Sequence, residues 1–194
     1  MGRHVSIAIR MALVTMVAFG LIYPLAMTGI AHVVFPWQAN GSLVRAHGKV
    51  MGSELIGQQF AGAGYFQPRP SAAGDGYDAA ASGGSNLGPT NRELATAVKH
   101  RADATKHLNP AMSKGRVPVD MVTTSGSGLD PDISVASALA QAPRIARARG
   151  LTDARVKELI DKNTAGRSLG FLGEPRVNVL RINNALDAMT GTKR

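Results

Sequence analysis

MALVTMVAFGLIYPLAMTGIAHVVF, Met11 to Phe35, runs for 25 residues without Asp, Glu, Lys or Arg. As a helix rising ~1.5 Å per residue it reaches ~37 Å, longer than the ~30 Å hydrocarbon core of a bilayer. It can cross a membrane with tilt or a bend, and Pro24 offers a place for the bend because its ring and missing amide disturb the preceding turn. Trp37, just beyond, suits the interface between hydrocarbon and water. The rival reading is a cleaved signal peptide, since Arg3 and Arg10 precede the run and Gly29-Ile30-Ala31 loosely resembles a small-x-small cleavage site. A signal core is shorter, ~7–15 apolar residues, so length favours an uncleaved anchor. Arg3 and Arg10 favour a cytoplasmic N-terminus, while Arg45 and Lys49 on the other side dilute that bias.

The anchor leaves Pro36 to Arg194, 159 residues, enough to bury roughly 68–70% of the unfolded surface without staples. The absence of cysteine removes disulfides, thiolate metal sites and thiol catalysis together. Twenty basic against 13 acidic residues leave this stretch at +7. Such an excess admits nucleic acid, anionic lipid or an acidic partner; a location outside the cell excludes nucleic acid.

Ser42–Arg45 and Lys49–Met51, separated by glycine, read as a small hairpin. Tyr65 to Asn91 is different in kind, 27 residues with five glycines and three prolines and almost no aliphatic side chains. Long irregular segments of this sort are functional or disordered, and Tyr65, Phe66 and Tyr77 point to order. Thr90-Asn91-Arg92-Glu93 has the T-x-x-E form of a capping box, with Leu94, Val98, Ala102 and Thr105 following at helical spacing. Val117, Val119 and Met121 alternate like a strand before the turn TTSGSG. A helix is expected to begin around Pro131 to Ser134 and to end or restart at Pro143, with Gly150 closing the segment. Thr152 caps another helix, with Val156, Leu159 and Ile160 forming its apolar stripe. Val177–Leu180 reads as a strand and Asn183 as the cap of a last short helix. The expected fold is one N-terminal transmembrane helix followed by a mixed α+β soluble domain with few strands.

Gly83 and Gly88 have the G-x-x-x-x-G spacing of a phosphate loop, but Pro89 stands where the lysine must be and removes an amide donor. His100 and His107 could share a helix face, yet two histidines do not make a metal site. Asp130 and Asp132 in LDPDIS lack the later ligands calcium requires, and Ser127 in SGSG reads as turn chemistry. No metal ligand set and no catalytic pair emerge. PRIARARG reads as a solvated helix face carrying Arg144, Arg147 and Arg149, with acidic headgroups or a partner's carboxylates as the alternative.

FPWQANGSL, GSELIGQQF, GYFQPRPSA, ASGGSNLGPTN, VPVDMVTTSGSGLDPDIS, QAPRIARARGL and GEPRVNVLRINNALD follow one another along the chain. As an ordered set they resemble the C subunit of the Kdp potassium-transporting P-type ATPase. Asp132 departs from the histidine that the family often carries in LDPxIS, so any role of that imidazole does not transfer. The resemblance implies an accessory, non-catalytic subunit needed for assembly of a high-affinity potassium uptake complex. Its partners would be a channel-like potassium-binding subunit, the P-type ATPase catalytic subunit, a small membrane peptide and the bilayer. The complex uses ATP and K⁺, with no cofactor assigned to this chain. The chain itself contains no D-K-T-G-T phosphorylation motif. The implied topology is single-pass in the cytoplasmic (inner) membrane, with residues 1–10 in the cytoplasm, 11–35 as the transmembrane helix and 36–194 as an extracytoplasmic (periplasmic) domain. The family is also described as a catalytic chaperone raising the ATP affinity of the pumping subunit, with the position of Gln141 in contact with nucleotide. ATP is cytoplasmic, so a domain outside acts on nucleotide affinity only through coupling within the complex.

On this reading the segment around SGGSNLGPTN is a partner-docking surface made of Tyr65, Phe66, Arg69, Pro70, Ser71, Ser82, Gly83, Gly84, Ser85, Asn86 and Asn91. Its glycines would let backbone approach a partner, and Tyr65, Phe66 and Arg69 would be its anchors. Two alternatives stay open. Asp75, Asp78, Asp130 and Asp132 could form a local negative patch tuning potassium entry, or the domain could be a membrane-anchored solute-binding module.

Overall fold

The computed structural model describes residues 1–46, 48–113 and 115–191, so the C-terminal limit of the expected 36–194 domain lies outside the described residues. The chain divides into two units, Met1–Val44 and Arg45–Arg194. In the first, α1 (Gly2–Val17), a π-helical turn (Ala18–Ile22) and α2 (Tyr23–Val34) join into one helix, Gly2–Val34. It is 33 residues long, with the length and apolar character needed to cross a membrane. The helix starts at Gly2, so Arg3 and Arg10 lie on it and do not flank it. The widened turn falls just before Pro24, and Tyr23 N–H donates to the Ala18 carbonyl, five residues back. A π turn there makes room for the proline ring against the carbonyl four residues earlier. Phe35 leaves the helical region (φ −131°, ψ 58°) because the following Pro36 disfavours it. A single turn, α3 (Pro36–Ala39), follows.

β1 (Leu43–Ala46) and β2 (Lys49–Ser53) form the expected two-stranded sheet. The second unit then runs through the long irregular segment into α4 (Arg92–Leu108), two 3₁₀ turns (Pro110–Met112 and Val119–Met121), β3 (Asp132–Ser134), α5 (Val135–Arg149), α6 (Asp153–Lys162), β4 (Thr164–Ala165), β5 (Arg176–Asn178) and α7 (Val179–Thr190). The antiparallel sheet has the order β3-β5-β4, with Ile133 opposite Val177. Its buried side chains meet Ala138, Ala142, Ile145 and Ala146 of α5, Val156, Leu159 and Ile160 of α6, and Leu180, Ile182 and Leu186 of α7 in one apolar core. The short alanines of α5 leave room for the branched side chains of α6, which lets these two helices approach closely.

Several local expectations change. The cap of α4 is Asn91, whose side chain accepts from Glu93 N, and not Thr90. Val117–Met121 is not a strand: Pro118 leads into the 3₁₀ turn, and Asp120 turns its carboxylate onto Ser134 N and the Ser134 and Ser137 hydroxyls at the start of α5. α5 continues straight through Pro143. The carbonyl that loses its partner there belongs to Leu139, an exposed residue where water can replace it. The expected strand Val177–Leu180 is only Arg176–Asn178, because Asn178 accepts from Arg181 N and starts α7 there. Asn183, expected as that cap, lies inside α7 and is fully buried.

Candidate functional site

The irregular segment is held by two amides. Asn183 of α7 accepts from Phe66 N–H (2.9 Å) and donates to Phe66 C=O (3.0 Å). Gln141 of α5 accepts from Gln67 N–H (2.7 Å) and donates to Gln67 C=O (3.1 Å). Consecutive residues of an extended chain point their backbone groups to opposite sides, so one helix grips Phe66 and another grips Gln67. Each side chain imitates a neighbouring strand, which satisfies backbone polar groups that burial would otherwise leave unpaired. The Phe66 ring is fully buried between them, a contribution of roughly 1.5–3 kcal/mol from apolar transfer.

Two arginines of α5 continue this grip upstream. The Arg144 guanidinium, buried, donates to the carbonyls of Ala63 and Tyr65, to Asn109 Oδ1 (2.8 Å) and to Gln141 Oε1 (2.8 Å). Burial brings its pKa down to about 10, so it remains a cation at neutral pH, held by neutral oxygens. Arg149 donates to Gly64 C=O (2.9 Å), pairs with Asp187 (2.7 Å) and lies 4.4 Å from the centroid of the Tyr65 ring. Tyr65 Oη in turn reaches Asp187 (3.2 Å). Of the three arginines in PRIARARG, Arg147 alone is exposed, so the expectation of a solvated basic face fails for Arg144 and Arg149: their long side chains bind backbone that no local pattern places beside them.

Downstream, Arg69 pairs with Asp130 (2.8 Å) and donates to Thr124 C=O (3.3 Å). Tyr77, at a left-handed φ of 57°, donates its hydroxyl to Arg69 C=O (2.6 Å), and Ser71 Oγ accepts from Tyr77 N–H (2.8 Å). Burial pushes the Tyr77 phenol up to about 12. Ser82 Oγ and Gly83 N–H both donate to Ser127 C=O (3.0 and 2.9 Å). A Cβ on Gly84 would lie 3.0 Å from Gly126 O, and one on Gly128 2.5 Å from Gly83 O. These glycines bring two stretches of the same chain together, backbone against backbone.

The proposed docking residues therefore separate into two sets. Phe66 is inside, and Tyr65, Arg69, Ser71, Ser82, Gly83 and Gly84 are engaged within the unit, with Pro70 half-buried beside them. Asn91 is committed to capping. Ser85 and Asn86 remain fully on the surface, Asn86 at a φ of 54°. Gln141 is 1% exposed with its carbonyl accepting twice, so its setting does not fit a nucleotide contact.

Residues 5–188 match the model for the K⁺-transporting ATPase, c chain. The chain belongs to that family. It is 56% identical over 186 residues to the potassium-transporting ATPase KdpC subunit of Acidobacterium capsulatum, covering 96% of this chain and 98% of that protein. The protein of the same name from Mycobacterium tuberculosis is 55% identical over 189 residues (97% and 100%), and that from Caulobacter vibrioides 57% over 185 (93% and 92%). The ordered set of motifs thus identified the family correctly.

Sequence reasoning missed Asn183, Arg144 and Asp187 as the residues that hold the segment. The available signal was a polar residue on the apolar face of each helix, Asn183 between Ile182 and Leu186, and Gln141 and Arg144 among Ala138, Ala142 and Ile145. It also passed over the loop from 166 to 175, GRSLGFLGEP, which joins β4 to β5. Every residue from Ala165 to Arg176 is exposed.

Proposed function

We propose that this chain is the membrane-anchored accessory subunit of a potassium-transporting ATPase, with its N-terminus in the cytoplasm, the Gly2–Val34 helix in the cytoplasmic membrane and the second unit outside. The near-full-length identity to proteins called KdpC subunits carries this reading. The chain's part is to hold the channel-like and ATP-cleaving subunits in a working arrangement; ATP and K⁺ are handled by those partners. Any rise in ATP affinity comes from favouring one conformation of the complex, and Gln141 acts as a clamp on Gln67. Gentle detergent extraction through a C-terminal tag is expected to bring the channel-like subunit, the ATPase and the small peptide along; elution of the chain by itself would defeat the proposal.

Docking falls to the exposed part of the loop, around Ser85 and Asn86, displayed by the pinned segment beneath. Asn86→Ala is expected to weaken retention by the partners with circular dichroism unchanged. The potassium-tuning alternative has less to work with, since Arg69 and Arg176 neutralise Asp130 and Asp132. A polar cavity of about 350 Å³ lined by Glu54, Asp132, Lys162, Arg176 and Arg181 is what a solute-binding reading would use, but Asp132–Arg176 and Glu54–Arg181 already pair across it.

A further inference from the structure

The β4–β5 loop is an ordered finger with an apolar end. Its base is tied by Arg167 to Glu174 (2.8 Å) and by a two-way bridge between Ser168 and Leu172 (both 2.9 Å). At its tip Leu169, Phe171 and Leu172 are 83%, 68% and 50% exposed. Leu169 sits at a left-handed φ of 54°, which costs a leucine ~1–2 kcal/mol relative to ordinary backbone. Tyr77 and Asn86, which share this conformation elsewhere in the unit, show what usually accompanies it: a hydroxyl bonded inside, or an amide residue that tolerates it. Leu169 has neither, so strain is maintained for a side chain that points away from its own domain.

Two features identify what such a tip meets. From Ser168 to Leu172, the amides of Ser168, Gly170, Phe171 and Leu172 donate within the loop; leaving water is costly mainly for unpaired backbone groups, and pairing four of these five amides lowers the cost of entering the polar-to-apolar interface, short of the hydrocarbon centre. A partner adding a strand would need free amides, and a protein pocket is ordinarily met by Trp, Tyr or Arg with a directional polar group, whereas leucine is under-represented in such anchors. Leu-Gly-Phe-Leu-Gly offers only apolar surface. Only residues 35–44 separate the anchor from the second unit, so lipid is present at high effective concentration and a weak second contact suffices.

We propose that the β4–β5 loop is a second membrane contact, dipping Leu169, Phe171 and Leu172 into the lipid interface. This rests on the reading of Gly2–Val34 as a membrane span. The lack of cysteine allows a clean test on the full chain in nanodiscs of phosphatidylethanolamine and phosphatidylglycerol. Single-cysteine variants Leu169→Cys, Phe171→Cys, Lys157→Cys and Leu21→Cys each carry one polarity-sensitive fluorophore. The labels at 169, 171 and 21 are expected to shift to the blue and lose emission to nitroxide-bearing lipids, while the label at 157 is quenched only by aqueous iodide. If 169 and 171 behave like 157 while 21 is quenched by lipid, the second contact is refuted and the anchor stands. If 21 also escapes lipid quenching, the anchor reading fails and takes this one with it. Shielding of 169 and 171 that arises only with co-purified subunits, without lipid quenching, would give the tip to a protein partner and overturn the proposal.

Discussion

The segments 63–77 and 165–176 are both irregular in sequence, and they solve opposite problems. In the first, the backbone has few partners of its own and borrows them from Asn183, Gln141, Arg144 and Arg149, side chains supplied by helices far along the chain. In the second, the backbone closes on itself and the side chains are left facing out. Order in a loop can thus come from what the rest of the protein gives it or from its own turns. Only the second arrangement leaves side chains free for something external.

The largest expected effect tests the borrowed order. Asn183→Leu strips the buried Phe66 amide and carbonyl of their partners, a loss of about 3 kcal/mol given ~1–3 kcal/mol per unsatisfied group, read as a lower urea midpoint for the full chain in mild detergent. A change below ~1 kcal/mol would mean that the segment is held by the Phe66 ring and not by the amides. Gly128→Ala comes next, at about 2 kcal/mol, because it places a Cβ 2.5 Å from Gly83 O at a φ of +67°; an unchanged melting temperature would show that the two stretches part easily. On the self-closed loop the sign reverses. Leu169→Gly relieves the left-handed strain and is expected to raise stability by up to ~1 kcal/mol, so a destabilised variant would reveal packing under that leucine.

The smallest effect belongs to Asp132, whose carboxyl is raised by burial, with Arg176 opposing. A carboxyl whose folded pKa lies above its unfolded value holds its proton more tightly when folded, so it adds stability as pH falls through that value and gives it up as pH rises. Asp132→Asn should leave stability at neutral pH nearly unchanged and flatten the gain on acidification through the carboxylate range. A steeper loss in acid would reverse the assigned sign.

Signals that act over a few residues were legible in the sequence: the apolar run of the N-terminal helix, the hairpin, Thr152 as a cap, Gly150 as the end of α5, and the stripe Val156, Leu159, Ile160. Where a local rule competed with tertiary contacts, the contacts won. Asn183 looked like a cap because Asn caps helices, yet its partner is Phe66, 117 residues earlier. Arg144 and Arg149 looked solvated because arginines usually are, yet their partners are carbonyls about 80 residues upstream. For the site, the motif set singled out the segment around residues 63–91 but not which of its residues are turned into the fold. Tyr65, Phe66 and Arg69 are anchors facing inward, and the finger went unnoticed because three apolar residues between glycines carry no motif.

The grip on Phe66 and Gln67 also dictates an order of events during folding. The segment is made early and its holders late, with Gln141 74 and Asn183 117 residues further along. Closing loops of that span must precede any reward from the contacts they make. A newly made chain therefore carries a bare phenylalanine and two unpaired peptide groups until its last helix arrives, and a nascent form cut short before α7 would be a natural substrate for proteases that recognise exposed aromatic residues.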